Sequence, residues 1–85
     1  MEYELQSHAL RAMLKRDISI EMIDAVIQNP GQIIKQSDGR TVFQSRVAPR
    51  RRKPHLLRVI VDTEENPPLV LSVISTSKVA KYWRQ

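Results

Sequence analysis

The groups in this sequence best suited to act on an anion are cations in strand-like and proline-bounded stretches. Arg50, Arg51, Arg52 and Lys53 run consecutively between Pro49 and Pro54, with His55 next. Four like charges repel one another unless phosphates or water screen them, and proline withholds a backbone donor, so a helix or a central strand is disfavoured there. The run reads either as a solvated loop or as a contact for a polyanion. Because the whole chain carries a formal net charge of +5 and a pI near 10.1, nucleic acid is the expected partner. Arg46 and Arg58 flank the run within strand-like sequence. Guanidinium groups on one sheet face can grip a scissile phosphate and stabilise charge that builds up on it, which is the electrostatic work that RNA cleavage by side chains requires.

These groups need a scaffold, and 85 residues suffice for one domain, residues 1–85, with a single modest core. The apolar fraction of 41% and charged fraction of 27% are those of a globular chain. Without cysteine there is neither a disulfide framework nor a thiolate zinc site. Met1 to Ser7 includes Glu2 and Glu4 and has no apolar core of a signal peptide, and no apolar run approaches the roughly 20 residues of a membrane span, so a cytoplasmic location is expected.

Helical periodicity comes first along the chain. Ser7 is a plausible N-cap for a helix over residues 8–16, with Ala9, Leu10, Met13 and Leu14 on one face and His8, Arg11 and Lys15 opposite. A break at Asp17-Ile18 precedes Ser19, which can cap a second helix carrying Ile20, Met22, Ile23, Val26 and Ile27; Asn29-Pro30-Gly31 stops it. Strand patterns follow: Ile33 to Ser37, a type I′ turn at Asp38-Gly39, Arg40 to Val47, then Leu56 to Asp62 and Leu69 to Ser75. The expected fold class is α+β, two N-terminal helices packed on one face of a four-stranded, largely antiparallel sheet. If Phe43, Val47, Val59 and Val61 face the helices, alternation sends Gln44, Arg46 and Arg58 to the other face.

The segment from Ser75 to Arg84 places Lys78, Lys81 and Arg84 beside Tyr82 and Trp83. Such mixtures suit base stacking next to phosphate contacts, although Trp83 could equally staple the segment to the core. No glycine-rich phosphate loop can be built from Gly31 and Gly39, and no paired histidine spacing suits zinc, so neither cofactor nor metal is expected.

The string His8-Ala9, Met13, Arg16 and Ile18-Ser19, followed by Asp38-Gly39-Arg40, a hydrophobic strand, Thr76-Ser77-Lys78 and Lys81-Tyr82-Trp83, resembles the domain-of-unknown-function family 4258. Members of that family look like small relatives of the RelE/ParE-type toxins of toxin–antitoxin pairs. Two positions depart from the family's pattern: Ala12 stands where an arginine is usual, and Lys15-Arg16-Asp17 stands for Glu-Arg-Gly. The resemblance implies a RelE-like fold and a toxin that cleaves RNA or blocks translation, acting on RNA or ribosome-bound mRNA and neutralised by an antitoxin protein.

RNA cleavage of this type needs a group to take the 2′-hydroxyl proton, cations at the phosphorane-like transition state and a proton donor for the leaving oxygen. An imidazole changes charge near neutral pH, so His8 can be base or acid. It also fits a plain solvent-facing position in the first turn of a helix. Arg46 and Arg58 would hold the phosphate, with Lys78, Lys81 and Tyr82 as further proton-transfer candidates, and Arg50, Arg51, Arg52, Lys53 and Lys81 would hold the nucleic acid. Two functions stand: a metal-independent endoribonuclease, and a non-catalytic module that grips nucleic acid or protein with the same surface.

Overall fold

In the computed structural model, which describes residues 1–47 and 53–85, the elements run β1 (Glu4–Leu5), α1 (Ser7–Arg16), α2 (Ile20–Gln28), β2 (Gln32–Lys35), β3 (Arg40–Val47), β4 (His55–Asp62), β5 (Leu69–Thr76) and α3 (Val79–Tyr82). Arg50, Arg51 and Arg52 lie outside the described residues. The class is α+β, as the sequence pattern implies, and β2 to β5 pair antiparallel with one another in chain order. The sheet nevertheless has five strands and is mixed, in the order β1-β5-β4-β3-β2. The additional strand, β1, pairs parallel with β5 through Glu4↔Leu69 and Leu5↔Val70. Two residues are too few for hydrophobic alternation to register.

Strand β1 also resets the start of α1. The Gln6 N–H is held by the Val70 carbonyl at 2.9 Å, so the chain stays extended through Gln6, which takes the N-cap position in place of Ser7. At the other end Asp17 enters the left-handed region (φ 54°), and the Ile18 N–H returns to the Met13 carbonyl at 2.9 Å. This is a Schellman closure, and it drives Ile18 into the core.

The buried face of α1 is Ala9 and Ala12 with Met13, whereas Leu10 and Leu14 are 46% and 86% exposed. The expected leucine-bearing face is therefore rotated outward. Small side chains let the helix lie close on β5, where Val70 and Val73 fill the space that leucines would otherwise take. In α2 the Ser19 hydroxyl accepts the Met22 N–H at 3.2 Å, the expected cap, and Ile23, Val26 and Ile27 point inward. They meet Phe43, Leu57, Val59, Val61, Val70 and Val73 of the sheet.

Two local irregularities set the register. The β2–β3 connection is not a two-residue type I′ turn, which needs positive φ at both central residues; here Gly39 alone has it, at 85°. Gln36 pairs with Arg40 instead (N–H to carbonyl, 2.8 Å), leaving a three-residue loop in which the Asp38 carboxylate accepts the Arg40 N–H at 3.1 Å. In β5, Leu71 is a bulge: Ile60 pairs with Ser72 and Val61 with Val70. Both Val70 and Val73 thereby reach the helical side.

The N-terminal segment is tied down by side chains. The Tyr3 hydroxyl donates to Asp24 Oδ1 at 3.1 Å, and Gln28 bonds both the Met1 amino group and its carbonyl. Burial, and then the Asp24 carboxylate, push the Tyr3 phenol up to about 12. No described helix is long and apolar enough to cross a membrane.

Ile23, fully buried, and Leu14, 86% exposed, should respond oppositely to truncation. In urea denaturation Ile23→Ala should cost about 2–5 kcal/mol, and Leu14→Ala should stay within about 0.5 kcal/mol of wild type. Tyr3 gives a pH-dependent test. Its phenol is protonated in the folded state up to about 12 but ionises near 10 when unfolded, so its contribution is complete below pH 10 and is lost as pH rises toward 12. Denaturation at stepped pH should show this loss in wild type and not in Tyr3→Phe.

Candidate nucleic-acid interface

Because side chains alternate along a strand, the face away from α1 and α2 carries Gln44 and Arg46 of β3 and Arg58 of β4. The register aligns Gln32, Gln44, Arg58 and Ile74 in one row across β2, β3, β4 and β5. After β5 the chain turns onto this face, where α3 packs on β4 and Leu56 is fully buried.

The row and the C-terminal segment are joined through amides. Gln44, fully buried, donates its Nε2 to Gln32 Oε1 (2.7 Å) and to the Tyr82 carbonyl (3.1 Å), and its Oε1 accepts from Arg58 Nε (3.0 Å). Gln32 in turn accepts the Arg84 N–H at 3.1 Å and donates its Nε2 to the Arg84 carbonyl. Two aromatic rings from this segment lie under two guanidiniums, with Arg46 Cζ 4.3 Å from the Trp83 centroid and Arg58 Cζ 4.3 Å from that of Tyr82. Each stack contributes about 0.5–1 kcal/mol where exposed. Gly31 makes room for Trp83, since a Cβ there would lie 2.9 Å from the indole and 3.2 Å from the Gln44 carbonyl.

Burial lowers the Arg58 pKa from its ordinary value; the Tyr82 phenol opposes the shift, and the like charge of Arg84 adds to it. A guanidinium nevertheless stays charged at neutral pH. Among the described residues only the Nε of Arg58 is engaged, so its Nη groups remain as donors for phosphate oxygens. Lys81 adds a third cation, its Nζ 5.2 Å from the Tyr82 centroid. Lys78 is exposed at the start of α3, its backbone N–H held by Thr76 Oγ1 at 3.1 Å.

Arg46, Arg58, Lys81 and Tyr82 thus come together on one face. His8 does not join them: it is exposed on α1, whose Ala9 and Ala12 are buried against the opposite face of the sheet. Exposed Lys53 lies at the described edge of the basic run, and its carbonyl is 2.6 Å from His55 Nδ1. A carbonyl can only accept, so Nδ1 carries the hydrogen. Among the described residues no group of three His, Asp or Glu side chains gathers as a metal would require. Gln32, Gln44 and Gly31 are the residues that sequence reasoning missed as parts of the site. The type I′ turn expected at Asp38-Gly39 would set Gln32 opposite Ser45; the three-residue loop is what brings Gln32 opposite Gln44, so the sequence carried no signal for this pair.

The fold and this face define a small α+β protein with a cationic, aromatic-backed sheet surface. The chain belongs to the domain-of-unknown-function family DUF4258, whose model matches residues 5–75. Arg46 and Arg58 lie inside the match, whereas Thr76-Ser77-Lys78 and Lys81-Tyr82-Trp83 lie beyond it. Comparison with curated proteins and with solved structures gives no match.

Gln44→Leu would leave Arg58 Nε and the Tyr82 carbonyl without their partner. It should destabilise the protein by about 1–3 kcal/mol. Loss of the bond to Tyr82 should also shift the emission of Trp83, the single tryptophan, to the red.

Proposed function

We propose that the protein is a toxin-type endoribonuclease with a RelE-like fold that holds RNA on the sheet face bearing Arg46 and Arg58. The observation that carries the reading is the pair of aromatic-backed guanidiniums on adjacent strands, Arg46 over Trp83 and Arg58 over Tyr82, with Lys81 alongside. Backing by a ring orients a guanidinium while leaving its N–H edge free for a phosphodiester. In the cleavage step water takes the proton of the ribose 2′-hydroxyl, the 2′-oxygen attacks the adjacent phosphorus and the bond to the 5′-oxygen breaks, leaving a cyclic phosphate and a 5′-hydroxyl. Arg46 and Arg58 would stabilise charge on the non-bridging oxygens. Tyr82, Lys81 and Lys78 are the side chains from which the departing 5′-oxygen would take its proton. RNA, free or as ribosome-bound mRNA, is the proposed substrate. An acidic antitoxin protein is the proposed partner, matching the net charge of +5.

The position of His8 favours a second reading. With the imidazole on the other side of the sheet, the face offers cations and a phenol but no histidine to accept the 2′-hydroxyl proton. The same surface would then serve as a non-catalytic module that binds nucleic acid or protein.

End-labelled RNA, free and on translating ribosomes, incubated with wild type and with an Arg46→Ala/Arg58→Ala double variant, separates the two readings. The endoribonuclease should lose cleavage by about a hundredfold or more in the double variant, with RNA affinity falling far less. RNA binding without cleavage by wild type in both settings would establish the binding module instead. Cleavage equal in wild type and variant would place the chemistry elsewhere.

A further inference from the structure

The outer face of α1 is left uncovered in an unusual way. Leu10 and Leu14, one helical turn apart, are 46% and 86% exposed, and Leu14 makes no contribution to the core. Arg11 and Lys15 are also one turn apart and form a second exposed stripe beside them. His8, Arg11, Lys15 and Arg16 line a recess of about 320 Å³ together with Ala12. From Ser7 to Arg16 the helix contains no acidic residue, and among the described residues none of its cations forms an ion pair.

An apolar stripe beside a cationic stripe, both with helical spacing, is complementary to a helix that carries apolar and acidic stripes side by side. We infer that the outer face of α1 docks an acidic amphipathic helix of a partner protein. Its apolar side chains would cover Leu10 and Leu14, and its carboxylates would meet Arg11 and Lys15, with His8 and Arg16 at the recess. Charge alone would suit RNA equally well, but phosphodiesters have no use for a leucine 86% exposed. The inference deepens the proposal of an acidic partner protein and rests on that part of the reading, but not on the Arg46/Arg58 face, which lies across the sheet.

The test uses the full chain, isotopically labelled, with a synthetic helical peptide that presents Leu and Glu in adjacent stripes. A peptide of the same composition in scrambled order, and a single-stranded RNA oligonucleotide, are the comparison probes. The striped peptide should bind saturably, with amide shifts concentrated in α1, and the scrambled one about tenfold or more weaker. Leu14→Ser and Arg11→Glu/Lys15→Glu should each weaken the striped peptide by about tenfold. Unchanged urea midpoints would establish that these surface variants fold. Equal binding of the two peptides, no binding of the striped peptide, or shifts outside α1 would each overturn the proposal. So would RNA binding on α1 that is lost in Arg11→Glu/Lys15→Glu and indifferent to Leu14→Ser, which would identify a nucleic-acid surface.

Discussion

A primary amide removed from water must find partners for its N–H groups and its oxygen, because each one left bare costs more than a typical hydrogen bond returns. Gln44 meets this requirement with three partners drawn from β2, β4 and the segment after β5. Satisfying one side chain thus fixes the orientation of Arg58, the seat of Tyr82 and the contact with the edge strand. The two cation–aromatic stacks build on that arrangement. Arg58 reaches Tyr82 because its Nε is already anchored, and Trp83 reaches Arg46 because the Tyr82 carbonyl and both backbone groups of Arg84 are held. A buried polar network of this kind rewards completeness: every member is paired, and no buried side-chain polar atom among the described residues is left without a partner.

The two faces of the sheet are built on different physics. On one, aliphatic side chains of α1 and α2 close over a row of valines, and the free energy comes from excluding water. On the other, Leu56 and Val42 are buried, but beside them lie amides, guanidiniums and rings whose geometry is directional. Anion recognition belongs to the second face, since charge can be oriented there without being sunk in the core.

Much of this was legible in the sequence. Strands β3, β4 and β5 are long and rich in β-branched residues, so their bounds fall within a residue of the pattern, and parity placed Arg46 and Arg58 on the face away from the helices. The Ser19 cap and the break at Asp17 were readable from local chemistry. The remainder depended on tertiary contact. Leu10 and Leu14 have core-like spacing, yet Ala9 and Ala12 set the orientation of α1, because closeness to β5 outweighed hydrophobicity of the face. A strand glutamine such as Gln44 reads as surface until a covering segment is known. α3 spans only four residues and shows too little periodicity to reveal where it docks. His8 is a proton-transfer candidate by residue type, but the sheet stands between it and Arg58.

The bulge at Leu71 acts as a reading-frame correction for the second half of β5. If the ladder ran on without absorbing that residue, Val73 would turn away from α1, and Ile74 and Thr76 would turn toward it. The chain would then leave β5 on the helical side, and Tyr82 and Trp83 would be delivered where there is no arginine row to meet them. A one-residue change of length near Leu71, with every other side chain kept, would therefore transplant the C-terminal segment to the wrong side of the sheet. The position of the aromatic backing is in this sense encoded as a count of residues as much as by the identity of any one of them.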